Sequence, residues 1–151
     1  YERHGGPSLA AIAAELNSHA VDRAHELRRL VRQVTYTTVI GNGDWHGKNI
    51  SLLHDLDGHI RLAPVYDTVP TRLFPTLMSP GATSVAGEFN LDHIPIERIV
   101  SEAQSWGLSR RDAEAAAADT AEAAEAAAGS VEHDQLSALV IERSERLLTS
   151  R

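Results

Sequence analysis

The chain has 151 residues, the size of one domain, and sets 14 Lys and Arg against 21 Asp and Glu for a formal net charge of −7. At that length folding buries about 68–70% of the unfolded surface, while the acidic balance offers no basic face for a phosphate backbone, so direct nucleic-acid binding is not expected. The absence of cysteine excludes a disulfide scaffold, a zinc–thiolate site, an iron–sulfur cluster and a thiol nucleophile, and suits a cytoplasmic protein. No run approaches about 18 apolar residues and no basic start leads into an apolar segment, so neither a spanning helix nor a signal peptide is expected. Opening on Tyr1 rather than Met, the sequence reads as a fragment of a longer frame.

The turn Gly5-Gly6-Pro7-Ser8 ends in a good N-cap, and Leu9, Ile12, Ala13 and Leu16 follow at helical spacing, predicting a helix to about Asn17. Asp22 caps a second helix with Leu27, Leu30, Val31, Val34 and Thr38 on one face. Residues 34–40 are β-branched enough to read as a strand by propensity. The unbroken period from Leu27 and the lack of a breaker before Gly41 predict helix instead. Asp57-Gly58, between the alternating runs 50–54 and 59–64, predicts a hairpin. Residues 70–90, with Pro70, Pro75, Pro80, Gly81 and Gly87, read as a long loop with short ordered pieces.

From Ile94 to Trp106 the helical pattern resumes, with Ile94, Ile99, Val100 and Ala103 inward and Gly107 closing it. Ser109, with Asp112 three residues on, approximates a capping box and opens a helix with 11 Ala among residues 113–128. High helix propensity and small size make this stretch a packed helix rather than a low-complexity tail. A last helix carries Leu136, Leu139, Val140, Arg143 and Leu147 on one face. The fold class is mainly α with one small β-hairpin.

The informative stretch is Gly41-Asn42-Gly43-Asp44-Trp45-His46-Gly47-Lys48-Asn49, followed beyond the hairpin by Val65-Tyr66-Asp67. In a phosphoryl-transfer site of the kinase plan, one Asp accepts the substrate hydroxyl proton and an Asn five residues later holds a metal. A second Asp beyond a hairpin links metal to phosphates. Asp44, Asn49 and Asp67 have that order, and Mg²⁺ requires the hard oxygen ligands Asn49 and Asp67 supply. The same residues are also ordinary turn formers, and a bare D-x-x-x-x-N spacing arises by chance.

The longer strings decide the matter. Tyr1-Glu2-Arg3-His4-Gly5-Gly6-Pro7-Ser8-Leu9, Ile40 to Asn49, Ser51-Leu52-Leu53 and Leu62-Ala63-Pro64-Val65-Tyr66-Asp67 together resemble the C-terminal part of the HipA-like toxin serine/threonine kinases, across nearly the whole chain. The resemblance implies a helical C-terminal kinase-like lobe over 1–151 whose hairpin carries the catalytic and metal loop. It implies Asp44 as catalytic base, Asn49 and Asp67 as Mg²⁺ ligands, and His46, Lys48, Asn49, Tyr66 and Asp67 as the ATP site. It further implies a protein substrate, a HipB-like DNA-binding antitoxin as partner, and autophosphorylation as control. Where the family has Asn-Thr-Asp this chain has Asn42-Gly43-Asp44, a change expected to loosen the loop. Kinases also need a phosphate-binding loop and a strand lysine from an N-terminal lobe. Lys48, the only lysine, already belongs to the catalytic loop, so the chain alone is expected to be inactive. Two other readings are a non-catalytic interaction module and a metal-dependent phosphohydrolase using Asp44, His46 and Asp67.

Other polar residues carry less. His54, Asp55, Asp57 and His59 cluster in the hairpin without a recognised ligand spacing. His4, His19, His25, His93 and His133 are scattered surface or packing residues. Trp45 is expected to brace the loop, Tyr36 to join the core and Trp106 to plug a junction between helices. Glu114, Asp119, Glu122 and Glu125 form a solvated face, and Arg28, Arg29 and Arg32 are too few for a nucleic-acid patch.

Overall fold

The computed structural model describes residues 1–77 and 80–149. A 3₁₀ turn over Glu2–His4 leads into α1 (Leu9–His19), whose N-cap Ser8 accepts from the Ala11 N–H. Asp22 caps α2 (Arg23–Val39) in the same way through the His25 N–H. The β-branched run stays helical because Thr35, Thr37 and Thr38 turn their hydroxyls onto carbonyls one turn back, at 2.8–3.0 Å. Those bonds let polar side chains sit in the core without unpaired hydroxyls.

Strands β1 (Leu52–His54) and β2 (Ile60–Leu62) pair antiparallel with Leu52 opposite Leu62. Asp57-Gly58 lies in the connection, which spans five residues because the Asp55 carboxylate accepts the Asp57 and His59 N–H groups. Two buried polar side chains of α2, seven residues apart and so on one face, fasten β2 to the helix. Glu26 accepts the Leu62 N–H at 2.7 Å and Gln33 donates to the Ala63 carbonyl at 2.7 Å. The hairpin is therefore held by the core helix rather than by its own short ladder.

The stretch predicted as a long loop carries 3₁₀ turns at Thr71–Leu73 and Pro75–Leu77 and a tight turn closed by the Val85–Glu88 bridge; positions 78 and 79 lie outside the described residues. Three helices complete the chain: α3 (Ile96–Ser105), α4 (Arg110–Ala128) and α5 (Asp134–Thr149). Ser109 caps α4 and exchanges hydrogen bonds with Asp112 as the sequence predicts. Ala113, Ala116, Ala117 and Ala121 are buried on one stripe of α4, whose small side chains let it pack among α2, α3 and α5. Trp106 plugs the α3–α4 corner, its indole N–H donating to Glu102 and its carbonyl accepting from Asn17. No described helix is long and apolar enough to cross a membrane.

Arg143 of α5 is 4% exposed. It donates to the Thr38 carbonyl at the end of α2, to the Leu91 carbonyl and to Asp92. Asp92 also pairs with Arg72 and Arg146. Burial raises the Asp92 carboxyl, but the three guanidinium groups outweigh it and hold it below the ordinary carboxylate range.

Candidate active site

The loop from Gly41 to Asn49 leaves the end of α2 and is pinned along its length. Gly41 adopts φ +71, and a Cβ there would lie 2.9 Å from Arg72 Cβ, so glycine is required on two counts. The Asn42 N–H donates to the Thr37 carbonyl, and Asn42 Oδ1 accepts the Asp44 N–H at 3.1 Å. Gly43 is not loosened as its composition predicts. Its N–H donates to Thr71 Oγ1 and its carbonyl accepts the Ala82 N–H, both at 2.8 Å, so neighbouring segments supply the order a larger side chain would have given. Trp45 braces the loop from below, 5% exposed, and its carbonyl accepts the Thr83 hydroxyl. Gly47 meets Pro7 so closely that a Cβ would lie 2.4 Å from Pro7 Cγ.

Asp44 projects from this frame with an exposed carboxylate. Asn49 is buried and donates from Nδ2 to the Asp44 carbonyl at 3.3 Å, leaving Oδ1 without a partner among the described residues. The two ends of the predicted motif are thus joined by their own hydrogen bond. Tyr66 is fastened to the same loop: its hydroxyl donates to the Lys48 carbonyl and lies 2.7 Å from Ser51 Oγ. The neighbouring Asp67 holds a left-handed backbone at φ +52 with an exposed carboxylate that no described group bonds. An Asp in that conformation is tolerated but costs free energy. Lys48 exposes its side chain, and His46 is half-buried with Nδ1 buried and unpartnered.

Tyr1 is the site residue that the sequence reading missed. Its phenol hydroxyl donates to Asp44 Oδ1 at 2.7 Å and its ring centroid lies 5.5 Å from that of His46. The hydrogen bond to Asp44, then the charge of that carboxylate, hold the Tyr1 phenol above its ordinary pKa. Tyr1 heads the opening string that carried the resemblance, yet nothing local in Tyr1-Glu2-Arg3 indicates a partner 43 residues away. Tyr1, Gly43, Asp44, Thr71, Thr76 and Leu77 line an open cleft of about 240 Å³.

Among the described residues the acid and imidazole groups that gather within 4.8 Å of one another are Asp55, Asp57 and His59, all exposed in the hairpin connection. Asp44, His46 and Asp67 form no such group, so the phosphohydrolase reading finds no assembled metal centre.

Residues 1–128 match the family model for the HipA-like C-terminal domain. A Sinorhizobium fredii protein named "Putative kinase Y4mE" is 34% identical over 77 residues, covering 51% of this chain and 18% of its own length. A Haemophilus influenzae protein named "Putative kinase" is 29% identical over 72 residues, covering 48% of this chain and 21% of its own. The chain thus spans about a fifth of the length of these relatives. Among solved structures, a HipA from Shewanella oneidensis in complex with HipB and operator DNA superposes with a TM-score of 0.83 at 18% identity, over 95% of this chain and 36% of that one. That likeness shows the fold, a HipA-type helical lobe with a single hairpin.

Proposed function

Because the chain belongs to the HipA-like C-terminal domain family, we propose that it is the catalytic C-terminal lobe of a HipA-like serine/threonine protein kinase, the toxin of a toxin–antitoxin pair. With an N-terminal lobe it transfers the γ-phosphoryl group of ATP to a serine or threonine hydroxyl. The observation that carries this reading is the junction of Asp44 with Asn49 on one pinned loop, to which Tyr66 ties the segment bearing Asp67.

In this reading Asp44 accepts the proton of the substrate hydroxyl as its oxygen attacks the γ-phosphorus, and ADP leaves. The donor set fits a Mg²⁺ ion: Asn49 Oδ1 and the Asp67 carboxylate are hard oxygen donors that no described group uses. When bound, the ion draws off the negative charge of the phosphate oxygens. His46 is half-buried on the same loop, between the exposed Asp44 and Lys48, with its ring 5.5 Å from that of Tyr1. The family resemblance assigns nucleotide contact to His46, with Lys48 and Tyr66 beside it. The N-terminal lobe supplies the phosphate-binding loop and the strand lysine, since Lys48 is the only lysine here.

A HipB-like antitoxin is the expected partner, in keeping with the Shewanella oneidensis HipA found with HipB and operator DNA. The net charge of −7 supports leaving contact with DNA to that partner. The test is calorimetric titration of Mg²⁺·ATP into the longest natural polypeptide containing this chain. Binding that depends on Mg²⁺ and is lost in both Asp67→Ala and Asn49→Ala is expected. Equal affinity in the wild type and both variants would overturn the assignment.

A further inference from the structure

We propose that Tyr1 is a positioning residue for the catalytic base, its phenol hydroxyl holding Asp44 Oδ1 so that Oδ2 is the oxygen that receives the substrate proton. The inference rests on the kinase reading of Asp44 and assigns a role to a residue that reading leaves idle.

The contact is a charge-assisted O–H···O⁻ hydrogen bond at 2.7 Å, in the strong class. An exposed carboxylate otherwise turns about its last torsion, which is broad and two-fold, and exchanges its two oxygens. One fixed donor sets the plane of the carboxylate, and since a half-turn restores the same arrangement, one oxygen is always held by Tyr1 and the other is always free for the substrate. In a proton transfer where the acceptor must meet the hydroxyl at hydrogen-bond distance, orientation of this kind enters the rate directly.

Tyr1 is held well enough to serve. Its carbonyl accepts the His4 and Gly6 N–H groups at 2.9 and 3.1 Å. Glu2 is anchored by three bonds, donating its N–H to the Ala82 carbonyl and accepting the Ser84 N–H and hydroxyl on its carboxylate. Ala82 in turn donates to the Gly43 carbonyl, one residue before Asp44. The opening segment and the catalytic loop are therefore fastened to the same stretch, 82–84, and the Tyr1–Asp44 bond closes the ring between them. Folding does not need the phenol, since Tyr1 is 56% exposed. The cleft that Tyr1 and Asp44 line together, with Gly43, Thr71, Thr76 and Leu77, gives a hydroxyl-bearing side chain room beside the bond. A phenol is protonated throughout the neutral range, and Asp44 pushes its pKa further up, so Tyr1 remains the donor.

The test uses the longest natural polypeptide containing the chain, assayed for phosphoryl transfer from Mg²⁺·ATP, with Asp44→Asn as control. Tyr1→Phe removes one oxygen and keeps the ring; it is expected to lower kcat roughly ten- to a hundredfold while the KM for ATP stays within about twofold. A second readout is independent of turnover. With tyrosine labelled at Cζ, the resonance missing from Tyr1→Phe is expected to titrate above its ordinary range in the wild type and to return to it in Asp44→Asn. Unchanged kcat in Tyr1→Phe, or an ordinary Tyr1 titration in the wild type, would overturn the proposal while leaving the kinase reading intact. A rise in kcat would overturn it too, because Tyr1 would then be occupying the substrate hydroxyl's place. Full activity in Asp44→Asn would overturn the kinase reading and this role with it.

Discussion

Replacing Arg143 by Ala removes the guanidinium that joins the end of α2 to the segment before α3. The size of the loss follows from what each partner keeps. Asp92 is 40% exposed and retains Arg72 at 3.1 Å and Arg146 at 3.4 Å, so its share is discounted to about 0.5–1 kcal/mol. The Thr38 carbonyl still accepts the Gly41 N–H and loses about 0.5 kcal/mol. The Leu91 carbonyl loses its guanidinium donor, at a cost of about 1 kcal/mol. The buried aliphatic stem adds about 1 kcal/mol of lost packing. The sum is about 3 kcal/mol, a large fraction of the roughly 5–15 kcal/mol that holds a domain together. Arg143→Met keeps the stem and is expected to lose about 2 kcal/mol on the same accounting. Urea unfolding of the wild type and both variants, followed by circular dichroism, measures this. A loss under about 1 kcal/mol in Arg143→Ala would refute the view that Arg143 of α5 fastens the end of α2, from which the loop 41–49 departs.

Stability should also depend on pH through Asp92. Its folded pKa is depressed, so its contribution is complete above the unfolded carboxylate value near about 3.9 and is lost as pH falls through the folded value. The gap between wild type and Asp92→Asn, measured by denaturant titration, should be constant above about pH 5 and shrink below about pH 4; a gap that widens in acid would contradict the sign. Gly47→Ala is expected to cost roughly 1–3 kcal/mol, because its Cβ would lie 2.4 Å from Pro7 Cγ. Adding Pro7→Ala should return part of that loss, and strictly additive losses in the thermal midpoint would argue against the close approach. At Asp67, φ +52 makes Gly the better backbone choice, so Asp67→Gly should equal or exceed Asp67→Ala in stability by about 1 kcal/mol. Both should lose Mg²⁺-dependent nucleotide binding; retention in either would remove Asp67 from the site.

Local pattern carries far in this chain. Ser8, Asp22 and Ser109 start their helices where their side chains predict, and the apolar period of α2 outweighs its β-branched end because the Thr hydroxyls bond within the helix. Asp57-Gly58 locates the hairpin but not its width, which the Asp55 carboxylate sets. The long-range polar pairs are not legible. Glu26 and Gln33 share a helix face in any helical reading, but that they hold Leu62 and Ala63 appears only once the chain has returned. Arg143 reads as one more member of an amphipathic face, although it is buried on Thr38, Leu91 and Asp92. The same holds for the site. Asp44 and Asn49 are linked by a five-residue spacing that the sequence displays, whereas Tyr1 reaches Asp44 through a turn anchored on residues 82–84. Spacing encodes what one loop brings together, and tertiary closure supplies the rest.

The most direct test of the account is transfer of labelled γ-phosphoryl from ATP to serine or threonine side chains by the longest natural polypeptide containing this chain, wild type against Asp44→Asn. Asp44 is exposed, so the substitution spares the core. Incorporation by the wild type, identified as phosphoserine or phosphothreonine, with loss of at least about a hundredfold in Asp44→Asn, is the predicted result. Equal incorporation by the two proteins, or none by a wild type that carries its N-terminal lobe and binds Mg²⁺·ATP, would contradict the assignment and leave the fold as an interaction module.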